Sequence, residues 1–367
     1  MCGIPKGDFG FATTCLKAGG KKELSAGGDE MRQSLLALAV SLGCALSVQA
    51  GVVPIFYTQL GSTDVLSSTY NTANFLGTAL GIASSEQGAD GILLGPNSTL
   101  FYGGEASNGV FQITQTGTDT TPYPAFGTGT SGSFFLAINQ NNTGNVFTFN
   151  NLGSIAVLPV PSSGPSSGLI TNGAVHAVTG ADTNVSDLFW SSSNTAYYLT
   201  GAAGTTGDLG TINLSTFVTT QLFAGIATAQ DAVFDPFTGL VVLFGDGEVD
   251  TFNPGTNTLG TAVTLPGATA GLTCGGGSTA QLDAGTVDGA GHAYVAGCGN
   301  LYYIDYSATG NILSASDVRQ SVGVPNGIKD IVVNPAEATP EPPPLAMMLI
   351  GLGALTIGRW RRASKRV

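Results

Sequence analysis

The sequence predicts an all-β protein, and within that class a six-bladed β-propeller, on three observations. A unit that mostly opens on aspartate recurs about every 48 residues, the length of a four-stranded blade. Each unit alternates apolar, β-rich runs with clusters of turn residues. Glycine accounts for 54 of the 367 residues while charged residues make up only 10%, the profile of a turn-rich β protein and not of a helical bundle or a disordered chain. A seven-bladed propeller and a β-sandwich are the alternatives that this pattern leaves open.

The units follow one another through the middle of the chain. Asp90 is followed by GILLGPNSTLFYGG, Asp187 by LFWSSSNTAYYLTG, Asp231 by AVFDPFTGLVVLFG, Asp283 by AGTVDGAGHAYVAG and Asp330 by IVVNP. A further copy, lacking the leading aspartate, begins at Phe134. In each unit a short apolar run is expected to form the innermost strand, and a second run returns after the turn. That second run then closes a hairpin on a third. Val242-Leu243-Phe244 meets Val249 to Phe252 around Gly245-Asp246-Gly247, and Tyr294 to Ala296 meets Leu301 to Ile304 around Gly297-Cys298-Gly299. Glycine supplies the positive φ that such primed turns need. The last unit stops after one strand, at Pro335, whereas β-like runs at 52–59 and 74–80 precede the first aspartate. A ring closes if those early strands complete the blade that Ile331-Val332-Val333 begins, which also hides the edges an open array would expose. The pattern resembles the NHL and lactonase-like propellers in shape, with no motif long enough to name one family.

Both ends read as signals. From Met31, MRQSLLALAVSLGCALSVQA has one arginine, an apolar run from Leu35 to Val48 and small residues up to Ala50, the order of a secretory signal peptide occupying 31–50. The run is short of the ~20 residues of a spanning helix. Residues 1–30 are polar, without apolar periodicity, and are expected to precede the true start. At the other end Pro340-Glu341-Pro342 is followed by an apolar stretch from Leu345 to Ile357 and a basic cluster with Arg359, Arg361 and Arg362. Positive charge after an apolar segment stays cytoplasmic, so 339–367 is expected to act as a transmembrane stop. These 28 or so residues resemble the PEP-CTERM sorting signal of bacterial envelope proteins. The resemblance implies export to the cell surface or matrix, recognition by an exosortase-like membrane protease after signal peptidase has acted, and an association with exopolysaccharide. The bland alternative is a plain C-terminal anchor.

Charge separates the middle, 51–338, from the ends. Ten of the twelve Lys and Arg residues lie before Gly51 or after Ile357, and residues 51–338 keep only Arg319 and Lys329 against 19 acidic residues. Such a surface repels phosphate backbones, which excludes nucleic acid as a partner.

Five aspartates stand out as candidate ligands. Heading the innermost strands, Asp90, Asp187, Asp231, Asp283 and Asp330 would ring the mouth of the central channel, where a hard cation such as calcium could relieve their repulsion. The competing expectation is that each accepts backbone N–H groups of a neighbouring loop and fixes blade packing. Cys274 and Cys298 are the cysteines of the middle segment. In a four-stranded blade the connection before Asp283 and the turn after Tyr294 lie on one face, so a disulfide is expected, worth ~3 kcal/mol in the chain-entropy model. His292 opens a strand, and neither it nor His176 stands in a nucleophile signature. The function expected is a non-enzymatic, exported module that binds polysaccharide or a matrix protein. The alternative is a calcium-dependent hydrolase or lactonase working at the channel.

Overall fold

The computed structural model describes residues 53–59, 64–69, 78–82, 89–95, 99–104, 109–114, 123–124, 136–139, 144–149, 153–160, 174–201, 206–245, 247–265, 284–297, 300–315, 317–322 and 328–334. They form six sheets, each built from strands that run antiparallel to the next in chain order. Blade 1 joins Ile328–Val333 to Pro54–Gln59, Asp64–Thr69 and Thr78–Ile82. Blade 2 comprises Ala89–Leu94, Thr99–Gly104, Gly109–Thr114 and Tyr123–Pro124, and blade 3 Leu136–Ile138, Asn145–Phe149, Ser154–Pro159 and Ala174–Ala177. Blade 4 runs from Asp187–Trp190 through Ala196–Leu199 and Gly207–Asn213 to Val218–Ile226. Blade 5 holds Asp231–Asp235, Leu240–Gly245 and Glu248–Asn253, with its outer edge split into Thr258–Leu259 and Val263–Thr264. Blade 6 holds Ala284–Val287, His292–Gly297, Asn300–Asp305 and Asp317–Val322. The first strands of the six blades contact one another in a closed circle, so the fold is a six-bladed propeller and the seven-bladed and sandwich alternatives fall away.

Ring closure takes the expected form. Ile55 pairs with Val333, Phe56 with Val332 and Tyr57 with Ile331, so the first described strand lies against the last. Two unrelated stretches of chain thereby share one sheet, and neither leaves an open edge at the closure.

The core is divided into six apolar clusters, one at each seam between blades. Period-two alternation explains how: successive side chains of a strand point to opposite faces, and both faces of a blade meet a neighbour. In blade 5, Val241 and Leu243 pack toward blade 4 with Phe189, Tyr197 and Leu199. Their chain neighbours Val242 and Phe244 pack toward blade 6 with Val295, Tyr302 and Ile304. Blade 6 repeats the division, sending Tyr294, Leu301 and Tyr303 against Ile55, Tyr57 and Ile331 of blade 1. This is why the strands read as nearly continuous apolar runs.

Two features lie beyond the sequence expectation. Thr179–Gly180, in the link between blades 3 and 4, pairs parallel with Val218 and Thr219 and adds a fifth strand to blade 4. Gly180 has φ +111°, and a Cβ there would stand 2.4 Å from the Thr219 carbonyl oxygen, so no side chain fits. The same link is pinned by Tyr198, fully buried, whose hydroxyl donates to Asp182 Oδ2. Among the described residues no helix is long and apolar enough to cross a membrane. The signal segment 31–50 and the tail 339–367 lie outside the described residues.

Candidate functional site

The first strands enclose a central cavity of about 430 Å³. Its wall is mostly apolar, with Leu93, Leu136, Ile138, Leu188, Trp190, Phe234, Val287 and Val333 among the lining residues, and all six blades contribute. Asp187, Asp231 and Asp330 also line it. Asp187 and Asp231 open their strands, whereas Asp330 is the third residue of its strand and Asp90 the second. Nothing is described of the Asp90 side chain or of Asp283, and Cys274 and Cys298 likewise lie outside the described residues.

The three described carboxylates share one hydrogen-bond pattern. In each, one oxygen accepts the N–H of the following residue in its own strand: Leu188 for Asp187 at 2.7 Å, Ala232 for Asp231 at 2.8 Å and Ile331 for Asp330 at 2.7 Å. The other oxygen reaches the first strand of the next blade. Ala232 N–H donates to Asp187 at 3.0 Å, Gly285 N–H to Asp231 at 2.7 Å and Ile92 N–H to Asp330 at 2.6 Å. The seams between blades 4 and 5, 5 and 6, and 1 and 2 are therefore stapled in the same rotational sense. Blade 3 has no aspartate at this place, and its seam with blade 4 is filled by an aromatic contact, Phe147 against Trp190 at 5.3 Å.

Burial governs the protonation of this ring. Desolvation, and then the charge of Asp231, raises the Asp187 carboxyl well above its ordinary value, with Asp330 adding to the effect. Desolvation likewise pushes Asp231 up to about 7, against the lowering effect of its two backbone donors. Acceptance of N–H bonds by both oxygens of each carboxylate is a poor start for a calcium cage, which wants six to eight oxygen ligands. Among the described residues no three His, Cys, Asp or Glu side chains are placed to hold a metal ion.

The opposite face, where first and second strands are joined, carries polar side chains that the sequence reading passed over. Asp235 accepts from Phe237 N–H and from the Thr238 hydroxyl, and also from the hydroxyl of Tyr306 in blade 6 at 3.0 Å. Asp288 accepts from Ala290 N–H and pairs with His292 Nδ1 at 2.6 Å, while Asp305 Oδ1 stands 3.8 Å from His292 Nε2. These aspartates close turns by accepting the N–H two residues on, and the sequence signal for them was the aspartate itself, one to five residues ahead of a glycine. His292 opens its strand as expected and is held at blade 6, away from the cavity lining.

No family model matches the chain, and no curated protein matches it. Solved structures do. A chain from a nidogen/laminin complex superposes with a TM-score of 0.53 at 10% identity, covering 77% of this chain and 98% of that one. A protein of unknown function from Bacteroides caccae gives 0.50 at 12% identity, with 77% and 98% covered. A streptogramin B lyase gives 0.48 at 10% identity, with 79% and 96% covered. At these identities the likeness shows the fold alone, an all-β propeller.

Proposed function

We propose that this protein is an exported propeller that works at the cell surface or in the extracellular matrix as a non-enzymatic binding or structural module. The observation that carries the reading is the use made of the ring carboxylates. Asp187, Asp231 and Asp330 each hold the backbone of the next blade through one oxygen and their own strand through the other. Side chains spent on blade geometry are not available to exchange ligands or protons with a substrate, which is what the calcium-dependent hydrolase or lactonase reading asks of them. Propellers host many unrelated functions, so the fold supports either class equally.

The tail gives the setting. Its Pro-Glu-Pro motif, apolar stretch and basic end support export followed by processing by an exosortase-like protease, with polysaccharide or a matrix protein as the partner. Cleavage at both ends would leave an acidic propeller almost without basic residues outside the membrane. The purified mature protein should co-sediment with extracellular polysaccharide of its host, show no lactone hydrolysis with added calcium, and melt at the same temperature with calcium or a chelator. Calcium-dependent turnover would overturn the reading. Intact-mass measurement decides the sorting part: a mature chain ending near Pro340 supports it, and one retaining Val367 reduces the tail to an anchor.

A further inference from the structure

We propose that the central cavity is a binding site for a small uncharged molecule with an apolar body and one hydrogen-bond acceptor. This rests on the binding-module reading above and names a ligand class for it.

Size and lining point there first. About 430 Å³ lies within the range of small-molecule pockets, which are mostly apolar with a few polar groups fixing orientation. The cover of the wall is incomplete. The large apolar side chains in the seams, such as Phe101, Phe244 and Phe252, are fully buried, whereas Leu94, Val233, Phe234 and Val332, at the heart of the ring, are only half-buried. Apolar groups left in that state at the centre of a fold gain from a guest that excludes water, at ~25 cal/mol per Å² covered.

The two ends of the cavity differ. Toward the end where the first strands finish, Trp190, Phe234, Pro236 and Val287 give an aromatic and aliphatic surface. At the other end stand Asp187, Asp231 and Asp330, the titratable groups among the described lining residues. An anion is repelled there, and an ammonium would have to compete for oxygens that already accept two N–H groups per carboxylate. Burial pushes Asp231 up to about 7, so in mildly acid solution that end presents a carboxylic O–H donor, with Asp187 shifted in the same direction. A carbonyl, ether or hydroxyl oxygen on the guest would meet that donor, with its apolar body along the wall.

Trp190 lines the cavity and is 5% exposed, so its fluorescence reports entry directly. The chain has two tryptophans, and Trp360→Phe in the full chain leaves Trp190 as the sole emitter. Titration with 1-hexanol, hexylammonium and hexanesulfonate at pH 5 and pH 8, probes of one chain length and three charges that keep their charge at both pH values, tests the class. The expected result is a saturable emission change with 1-hexanol at pH 5, weaker at pH 8, and at least tenfold weaker with either ion. Val233→Phe, and independently Ala137→Leu, should fill the cavity and abolish the response while the melt stays cooperative. No saturable response to 1-hexanol at pH 5, an undiminished response in both filled variants, or equal binding of an ion would overturn the proposal. Co-sedimentation with polysaccharide does not depend on the cavity, so a failure here leaves the binding-module reading standing. Calcium-dependent hydrolysis would overturn that reading, and with it the ligand class that rests on it, whatever the titration shows.

Discussion

Asp231 concentrates the conflict built into the ring: its two N–H donors favour the charged form, and its burial opposes it. The folded value lies above the ordinary 3.8, so the stabilising contribution is whole below 3.8 and is lost as pH rises through about 7. Asp187 moves in the same direction for the same reason. Replacing Asp231 with alanine leaves the N–H groups of Ala232 and Gly285 without this acceptor and should cost about 1–3 kcal/mol at pH 5. The deficit should shrink at pH 8, where the wild-type carboxylate must ionise in place. Melting curves of both proteins at the two pH values check this, and a deficit that does not change with pH would refute the burial argument. At the other face, Tyr306→Phe removes one bond to Asp235, which keeps its donors from Phe237 and Thr238. The expected loss is about 1 kcal/mol in denaturant unfolding, the worth of a single hydrogen bond whose acceptor stays satisfied.

At the scale of strands, hairpins were legible because their determinants are local. The turn between Leu240–Gly245 and Glu248–Asn253 and the turn between His292–Gly297 and Asn300–Asp305 stand where glycine marks them. The parallel strand Thr179–Gly180 was not legible, since two residues carry no periodicity and their partner lies some forty residues on. Gly180→Val should break this pairing, because the added Cβ has the Thr219 carbonyl oxygen, amide nitrogen and hydroxyl all within 2.8 Å. Overpacking of this kind costs ~1–3 kcal/mol. Amide exchange should speed up in Val218–Ile226 and the link before Asp187, leaving the other blades as they were. Uniform acceleration across all blades would mean that the strap serves the whole ring.

For the molecule as a whole, closure is the decisive event. The seam clusters tie each blade to two others, and the pairing of Pro54–Gln59 with Ile328–Val333 makes that chain of contacts circular. Removing residues 51–59 strips blade 1 of the strand between Ile328–Val333 and Asp64–Thr69 and exposes a sheet edge on either side. The expected outcome is loss of a single cooperative melt and self-association on size exclusion. A sharp monomeric transition in the truncated protein would show that five blades hold without the clasp.

What the sequence determined by itself was the unit: its length, its glycine turns, its apolar strands, the aspartates near the start of the innermost strands and the strands left over at the two ends. These are properties of neighbouring residues, governed by turn geometry and period-two burial. The tertiary structure decided what the aspartates do. Asp187, Asp231 and Asp330 each staple their own strand to that of the next blade, 45 and 54 residues on for Asp187 and Asp231 and across the ring closure for Asp330. No local pattern separates an aspartate that will hold a cation from one that will hold a backbone N–H. The difference lies in which groups six blades bring to the same axis, and that is fixed only once the ring has closed.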